Sequence, residues 1–138
     1  GEPVEKWTRP VAILQSESNY SDAHFFPWAF KQKGIGKLIG APVPGTSTAV
    51  WWESQIEPKL IFGIPQVGIT DLEGRYLENW QLDPDVLVIN DAESVARGED
   101  KQLAKAVEEL LKEADAAKDG AKKAANASAS APQPDRNE

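Results

Sequence analysis

The densest chemistry in the chain falls on Asn19-Tyr20-Ser21-Asp22-Ala23-His24. A hydroxyl, a carboxylate and the only histidine of the sequence lie side by side there. An apolar run precedes them and a helix-forming stretch follows, so they fall where a strand feeds a helix. In open α/β folds, ligands gather outside the carboxyl ends of strands. A serine hydroxyl at such a junction stands beside a helix N-terminus, and the amides of Asp22 and Ala23 can face a developing oxyanion. Ser21 is thus a candidate nucleophile. It is equally a good helix N-cap, which from local sequence alone is the simpler reading. His24 lies one turn further on, on the same helical face. Side chains on one helix project alongside each other rather than in line. A partly exposed helix histidine is therefore a simpler reading of His24 than a general base.

Two further groups could do chemistry. Glu78 opens the segment Glu78-Asn79-Trp80-Gln81-Leu82-Asp83-Pro84-Asp85-Val86 and could orient a catalytic group or hold a water. Its bland alternative is a solvated acid in a turn stiffened by Pro84. Trp51-Trp52 could line an apolar cleft, but adjacent strand residues face opposite ways, so at least one should be core. Other chemistries are excluded by composition. The chain has no cysteine, which removes disulfides, thiolate metal sites and cysteine nucleophiles. One histidine rules out a histidine-rich metal site and limits any complete Ser-His-Asp catalyst. No metal and no cofactor is expected. Gly34-Ile35-Gly36 follows a helix and lacks the spacing of a phosphate loop. With 15 Lys and Arg against 22 Asp and Glu, the net charge is −7, and no basic cluster suits a nucleic-acid backbone. No apolar run approaches the ~20 residues of a membrane span.

The elements that would carry these residues alternate. The 138 residues are room for one domain. Residues 1–9 read as a lead-in opening on Gly1, which suggests a processed end. Pro10 to Gln15 is almost continuously apolar, as in a parallel strand buried on both faces. A helix is expected from Ser21-Asp22 to about Lys33, ended by Gly34 and Gly36, with Pro27 either kinking it or moving its start to Ala23. Lys37 to Gly40, Thr48 to Trp52, Lys59 to Phe62, Val67 to Thr70 and Asp85 to Ile89 are strand candidates, with a turn at Glu73-Gly74. Ala92 to Ala96 is a short helical turn. Leu103, Val107, Leu110 and Leu111 form an apolar stripe on a helix from about Glu99 to Ala117. The stretch 119–138 has no aromatic, Leu, Ile or Val and is expected to be a disordered low-complexity tail. The order of elements indicates an α/β layered structure.

Four stretches in order resemble the carboxy-terminal part of the tail-specific serine peptidase family, in its tricorn-type branch. Val11 to Gln15 with Asn19-Tyr20-Ser21-Asp22 is similar to the strand and turn that present the nucleophile. Phe30 to Gly40 resembles the following helix exit and strand. Glu78 to Val86 resembles a Glu-Asn-aromatic segment ending in Pro-Asp-Val. Asp100 to Val107 resembles the opening of the last helix. The resemblance covers residues 10–113 and implies a crotonase/ClpP-like α/β core, incomplete in this chain.

It also implies roles. Ser21 matches the nucleophile, and Asp22 matches the residue whose backbone N–H is one oxyanion donor. Glu78 matches the glutamate that supports the catalytic histidine through an intervening serine. Thr46, in Pro44-Gly45-Thr46-Ser47, stands where the other branch has its lysine base, so a Ser/Lys dyad does not fit. The branch's histidine comes from a segment well before the nucleophile, outside residues 1–138, as does the second oxyanion donor. His24 does not match it. The expectation is the carboxy-terminal part of a serine endopeptidase acting on peptides or unfolded proteins, inactive as an isolated piece. Its partners would be the amino-terminal part of the same core and, through unpaired sheet edges, a second copy. A non-enzymatic peptide-binding or assembly module is the alternative. The compartment stays open, with periplasmic or extracellular placement favoured over cytoplasmic.

Overall fold

The computed structural model describes residues 4–129. The first strand, β1 (Ala12–Gln15), leads into helix α1 (Asp22–Gln32), which returns to strand β2 (Lys37–Gly40). The two strands pair in parallel, Ala12 opposite Lys37 through Gln15 opposite Gly40. A third strand, β5 (Val86–Leu87), adds to the other edge of β2, also parallel, giving the order β1-β2-β5. Between β2 and β5 the chain leaves this sheet to build a long antiparallel hairpin of β3 (Thr48–Ser54) and β4 (Ile61–Gly68), irregular at Ala49/Val50. Helix α2 (Ala92–Ala96) and helix α3 (Lys101–Ala129) follow, and α3 packs across β1 and β2. The fold is mixed α/β.

The core lies between α1 and the parallel sheet. Leu38 and Val43 are fully buried and pack with Trp28, Phe30, Leu77 and Leu82. Val11, Ile13 and Phe25 close the cluster. Pro27 sits inside α1 and is buried with its neighbours Trp28 and Phe30. β2 is the central strand and carries the apolar burial, whereas β1 is an edge. Leu14 is exposed, so β1 is not buried on both faces as its apolar run suggested. Gln15 is buried and holds the neighbouring loop, its Nε2 donating to the carbonyls of Ala41 (2.8 Å) and Leu82 (3.2 Å).

Two sequence expectations change in the hairpin. The candidates Lys59 to Phe62 and Val67 to Thr70 merge into the single strand β4, which runs through Gly63 and Pro65. Trp51 and Trp52 are both exposed, so neither is core. The alternation rule presumes a layer on one face, and a two-stranded ribbon with none leaves both faces open.

Two more change in α3. Of the expected stripe, Leu103, Val107 and Leu111 are exposed and Leu110 is half-buried, whereas Gln102 and Ala106 are buried. Polar anchors set this rotation. Gln102 Nε2 donates to the Val88 carbonyl at 2.9 Å, and Lys37 on β2 pairs with Glu109 (2.9 Å) and Glu113 (3.0 Å). The helix also continues past Ala117 to Ala129, taking in residues expected to belong to the tail. Its Ala- and Lys-rich composition propagates a helix once packing has nucleated it. The rest of the expected tail, 130–138, and the first three lead-in residues lie outside the described residues.

Candidate functional site

The chain leaves β1 through Ser16 to Tyr20 and enters α1 at Ser21. Among the described residues, Ser21 and Asn79 are the non-glycine residues with positive φ, 54° and 61°. Ser21 has ψ of −116°, and its side chain makes no capping hydrogen bond. Asp91, at the start of α2, accepts from the Ser94 N–H as a cap should. The hydroxyl of Ser21 is thus not engaged by its own helix, and the simple N-cap reading is set aside. Such backbone geometry costs on the order of 1–3 kcal/mol and persists only where the surroundings impose it. Thr46 is one group that ties this residue down, its Oγ1 accepting the Ser21 N–H at 2.9 Å.

The helix N-terminus beside Ser21 offers fewer amides than its sequence suggested. The Ala23 N–H donates to the Tyr20 carbonyl at 3.0 Å and the His24 N–H to the Ser21 carbonyl at 2.8 Å. Asp22 heads the helix, where an N–H has no intrahelical acceptor. Of the two amides, that of Ala23 is thus taken up by the main chain, whereas that of Asp22 has no acceptor within the helix.

Glu78 arrives from the opposite direction. The segment 76–85 runs beside the loop that leaves β2, held by reciprocal bonds between Val43 and Leu82 (3.0 and 2.9 Å) and by Asn79 N–H to the Gly45 carbonyl (3.0 Å). Gly45 permits this approach, because a Cβ there would lie 2.1 Å from the Trp80 nitrogen. A turn built on Asp71 aims the segment. Its carboxylate accepts the N–H groups of Glu73 and Arg75 and pairs with the Arg75 Nε at 2.7 Å. Arg75 then lies over the Trp80 ring, 5.2 Å from its centroid. Glu78 is half-buried, and its Oε2 accepts from the Ser47 N–H (2.7 Å) and the Thr48 hydroxyl (2.8 Å).

These approaches converge on one cleft of about 240 Å³ lined by Tyr20, Ser21, Thr46, Thr48, Val50, Pro65 and Glu78. It lies outside the carboxyl ends of β1 and β2, the place open α/β sheets use. Ser21 and Glu78, 57 positions apart in sequence by their numbers, share its wall. From the hairpin the cleft takes Thr48, Val50 and Pro65, not Trp51 or Trp52.

His24 differs from its sequence reading. It is buried, 1% exposed, and absent from the cleft wall. Its Nδ1 is hydrogen-bonded to Ser47 Oγ, and its Nε2 has no partner among the described residues. Burial lowers its pKa from the usual imidazole value, against the opposing influence of the nearby Trp80 main chain and the Glu78 charge. The strap Thr46-Ser47-Thr48 therefore ties together the Ser21 main chain, the His24 ring and the Glu78 carboxylate. Sequence reasoning noted Thr46 only as a replaced lysine and missed Ser47 and Thr48. The one available signal was three consecutive hydroxyl residues after a glycine. Among the described residues, no group of three or more His, Cys, Asp or Glu side chains could hold a metal ion, and no helix is long and apolar enough to cross a membrane.

Residues 1–88 match the family model described as Peptidase family S41. The tricorn protease of Thermoplasma acidophilum is 25% identical over 112 residues, an alignment covering 80% of this chain and 10% of that protein. A crystal structure of the tricorn protease superposes with a TM-score of 0.69 at 24% identity, covering 77% of this chain and 10% of that one. The likeness in structure shows a shared fold. The chain spans about a tenth of the length of the relative it matches.

Proposed function

The chain belongs to peptidase family S41, and on that footing we propose that it is the carboxy-terminal part of a serine endopeptidase core of crotonase/ClpP-like type. One observation carries the reading. Ser21 is held at φ 54° with its hydroxyl free of any cap bond, on the same cleft wall as Glu78. A histidine from the remainder of the parent protein takes the Ser21 hydroxyl proton as Oγ attacks a peptide carbonyl. The Asp22 N–H supplies one of the donors that hold the oxyanion, the second coming from outside this chain. The same histidine protonates the departing amine, and water then hydrolyses the acyl-enzyme. Glu78, with Oε2 fixed by the strap, presents its other oxygen towards the group that orients that histidine.

The substrates on this reading are peptides or unfolded protein tails. The isolated chain lacks the base and shows little or no proteolysis. Its working partners are the amino-terminal part of the core and, across open sheet edges, a second copy. A serine-directed phosphonate tests the assignment in the full-length parent. Covalent labelling mapped to Ser21, and lost in Ser21→Ala, is the expected result. A folded parent that takes no label overturns it and leaves a peptide-binding or assembly module that keeps only the fold.

A further inference from the structure

The mechanism above leaves the buried histidine without a task. His24 sits in the first turn of α1, is closed off from the cleft, and spans 23 residues of sequence to reach Ser47 Oγ through its Nδ1. From Ser47 the bonds branch. Its own N–H donates to Glu78 Oε2 at 2.7 Å, and the next residue's hydroxyl, on Thr48, donates to the same oxygen at 2.8 Å. The preceding residue, Thr46, accepts the Ser21 N–H at 2.9 Å. Three consecutive residues thus hold Ser21 and Glu78, which line the same cleft. The middle residue is the one that His24 holds.

The strap is tied to α1 at two points one turn apart, Ser21 through Thr46 and His24 through Ser47. Two ties fix both the position and the rotation of a three-residue segment, whereas either alone leaves a pivot. A buried imidazole suits the second tie because its ring is rigid and water cannot compete for its nitrogen. We propose that His24 is a positioning residue. Through Ser47 it sets the rotation of the Thr46-Ser47-Thr48 strap, and so the separation of Ser21 from the Glu78 carboxylate. The role serves the peptidase reading, but its geometry can be read without turnover.

The test uses amide proton spectra of the ¹⁵N-labelled 138-residue chain. The Ser47 amide, bonded to a carboxylate, and the Ser21 amide, bonded to a hydroxyl, are the reporters. His24→Gln places its amide near the Nε2 position and loses the bond to Ser47. Both reporters are expected to move upfield together while the hairpin signals stay in place. His24→Asn carries a hydrogen-bonding atom near the Nδ1 position and is expected to keep both. Ser47→Ala removes only the hydroxyl and is expected to displace the Ser21 amide even though residue 47 retains its N–H. Should His24→Gln fail to fold, the Ser47→Ala and His24→Asn pair decides the matter. Unmoved reporters in folded Ser47→Ala overturn the proposal, as does an Asn variant that behaves like Ser47→Ala. A parent protein without peptidase activity leaves these shifts unchanged, so failure of that reading is seen separately. In an active parent, kcat falls in His24→Gln and recovers in His24→Asn, with KM little altered.

Discussion

Ser21 and Gly45 illustrate opposite uses of backbone freedom at one site. Ser21 occupies a conformation that suits glycine, with φ 54° and ψ −116°. Ser21→Gly should relieve that strain and raise the stability of the chain by about 1 kcal/mol, read from urea unfolding, while abolishing phosphonate labelling of the parent. Gly45→Ala should do the reverse. A Cβ 2.1 Å from the Trp80 nitrogen must push main chain, and a loss of about 1–3 kcal/mol in the same measurement is expected. Glu78→Gln in the parent keeps the volume and loses the charge. A fall in kcat of about 100- to 10,000-fold with little change in KM is the expected steady-state result. His24 adds a pH dependence. Its folded pKa lies below the ordinary 6.5, so the unfolded chain binds the proton first. The stability contribution is complete above about 6.5 and is lost as pH falls through the folded value. Unfolding midpoints should therefore decline below pH 6.5 in the parent sequence and less so in His24→Asn.

At the level of elements, α3 is tied to the sheet by ion pairs from Lys37 as well as by packing. Lys37 first, then Lys112 and Lys105, hold the Glu109 carboxyl down at about 2, against 4.5 for a free glutamate. A depressed carboxyl stabilises the fold above its unfolded pKa and loses that contribution as pH falls towards the folded one. Glu109→Gln should flatten the acid limb of the stability curve between pH 4.5 and 2, measured by helical circular dichroism. Residue patterns announced β1, α1 and β2, because each is a short apolar or amphipathic run, closed by a polar cluster after β1 and by glycine in α1 and β2. They announced the position of Ser21 for the same reason. They could not announce the rotation of α3, which Gln102 and Glu109 decide through Val88 and Lys37 on other elements. Nor could they announce the burial of His24. Its partner Ser47 lies in a loop, brought near only after Val43 pairs with Leu82 and Gly45 closes on Trp80. The hairpin was legible as β-rich pieces, but Gly63 and Pro65 interrupt the run that would have shown one strand.

Taken whole, the molecule divides into a packed sheet-and-helix body and a ribbon that stands away from it. Trp52, Ile61, Phe62 and Val67 on the ribbon are all exposed. Single substitutions there, such as Phe62→Ser, should change the unfolding midpoint by no more than about 0.5 kcal/mol in free-energy terms. They should also reduce any concentration-dependent sedimentation of the chain, since exposed aromatic strands favour association. The same arrangement sorts the indole rings. Trp28 is 9% exposed, whereas Trp7, Trp51, Trp52 and Trp80 are between 42% and 72% exposed. The native chain should then fluoresce nearly as red as an unfolded one, with acrylamide reaching four emitters of five. Intrinsic emission would therefore be a poor gauge of this chain's unfolding. A blue shift on adding another polypeptide, lost when Trp51 and Trp52 are replaced by phenylalanine, would instead be an optical signal that the ribbon had been covered.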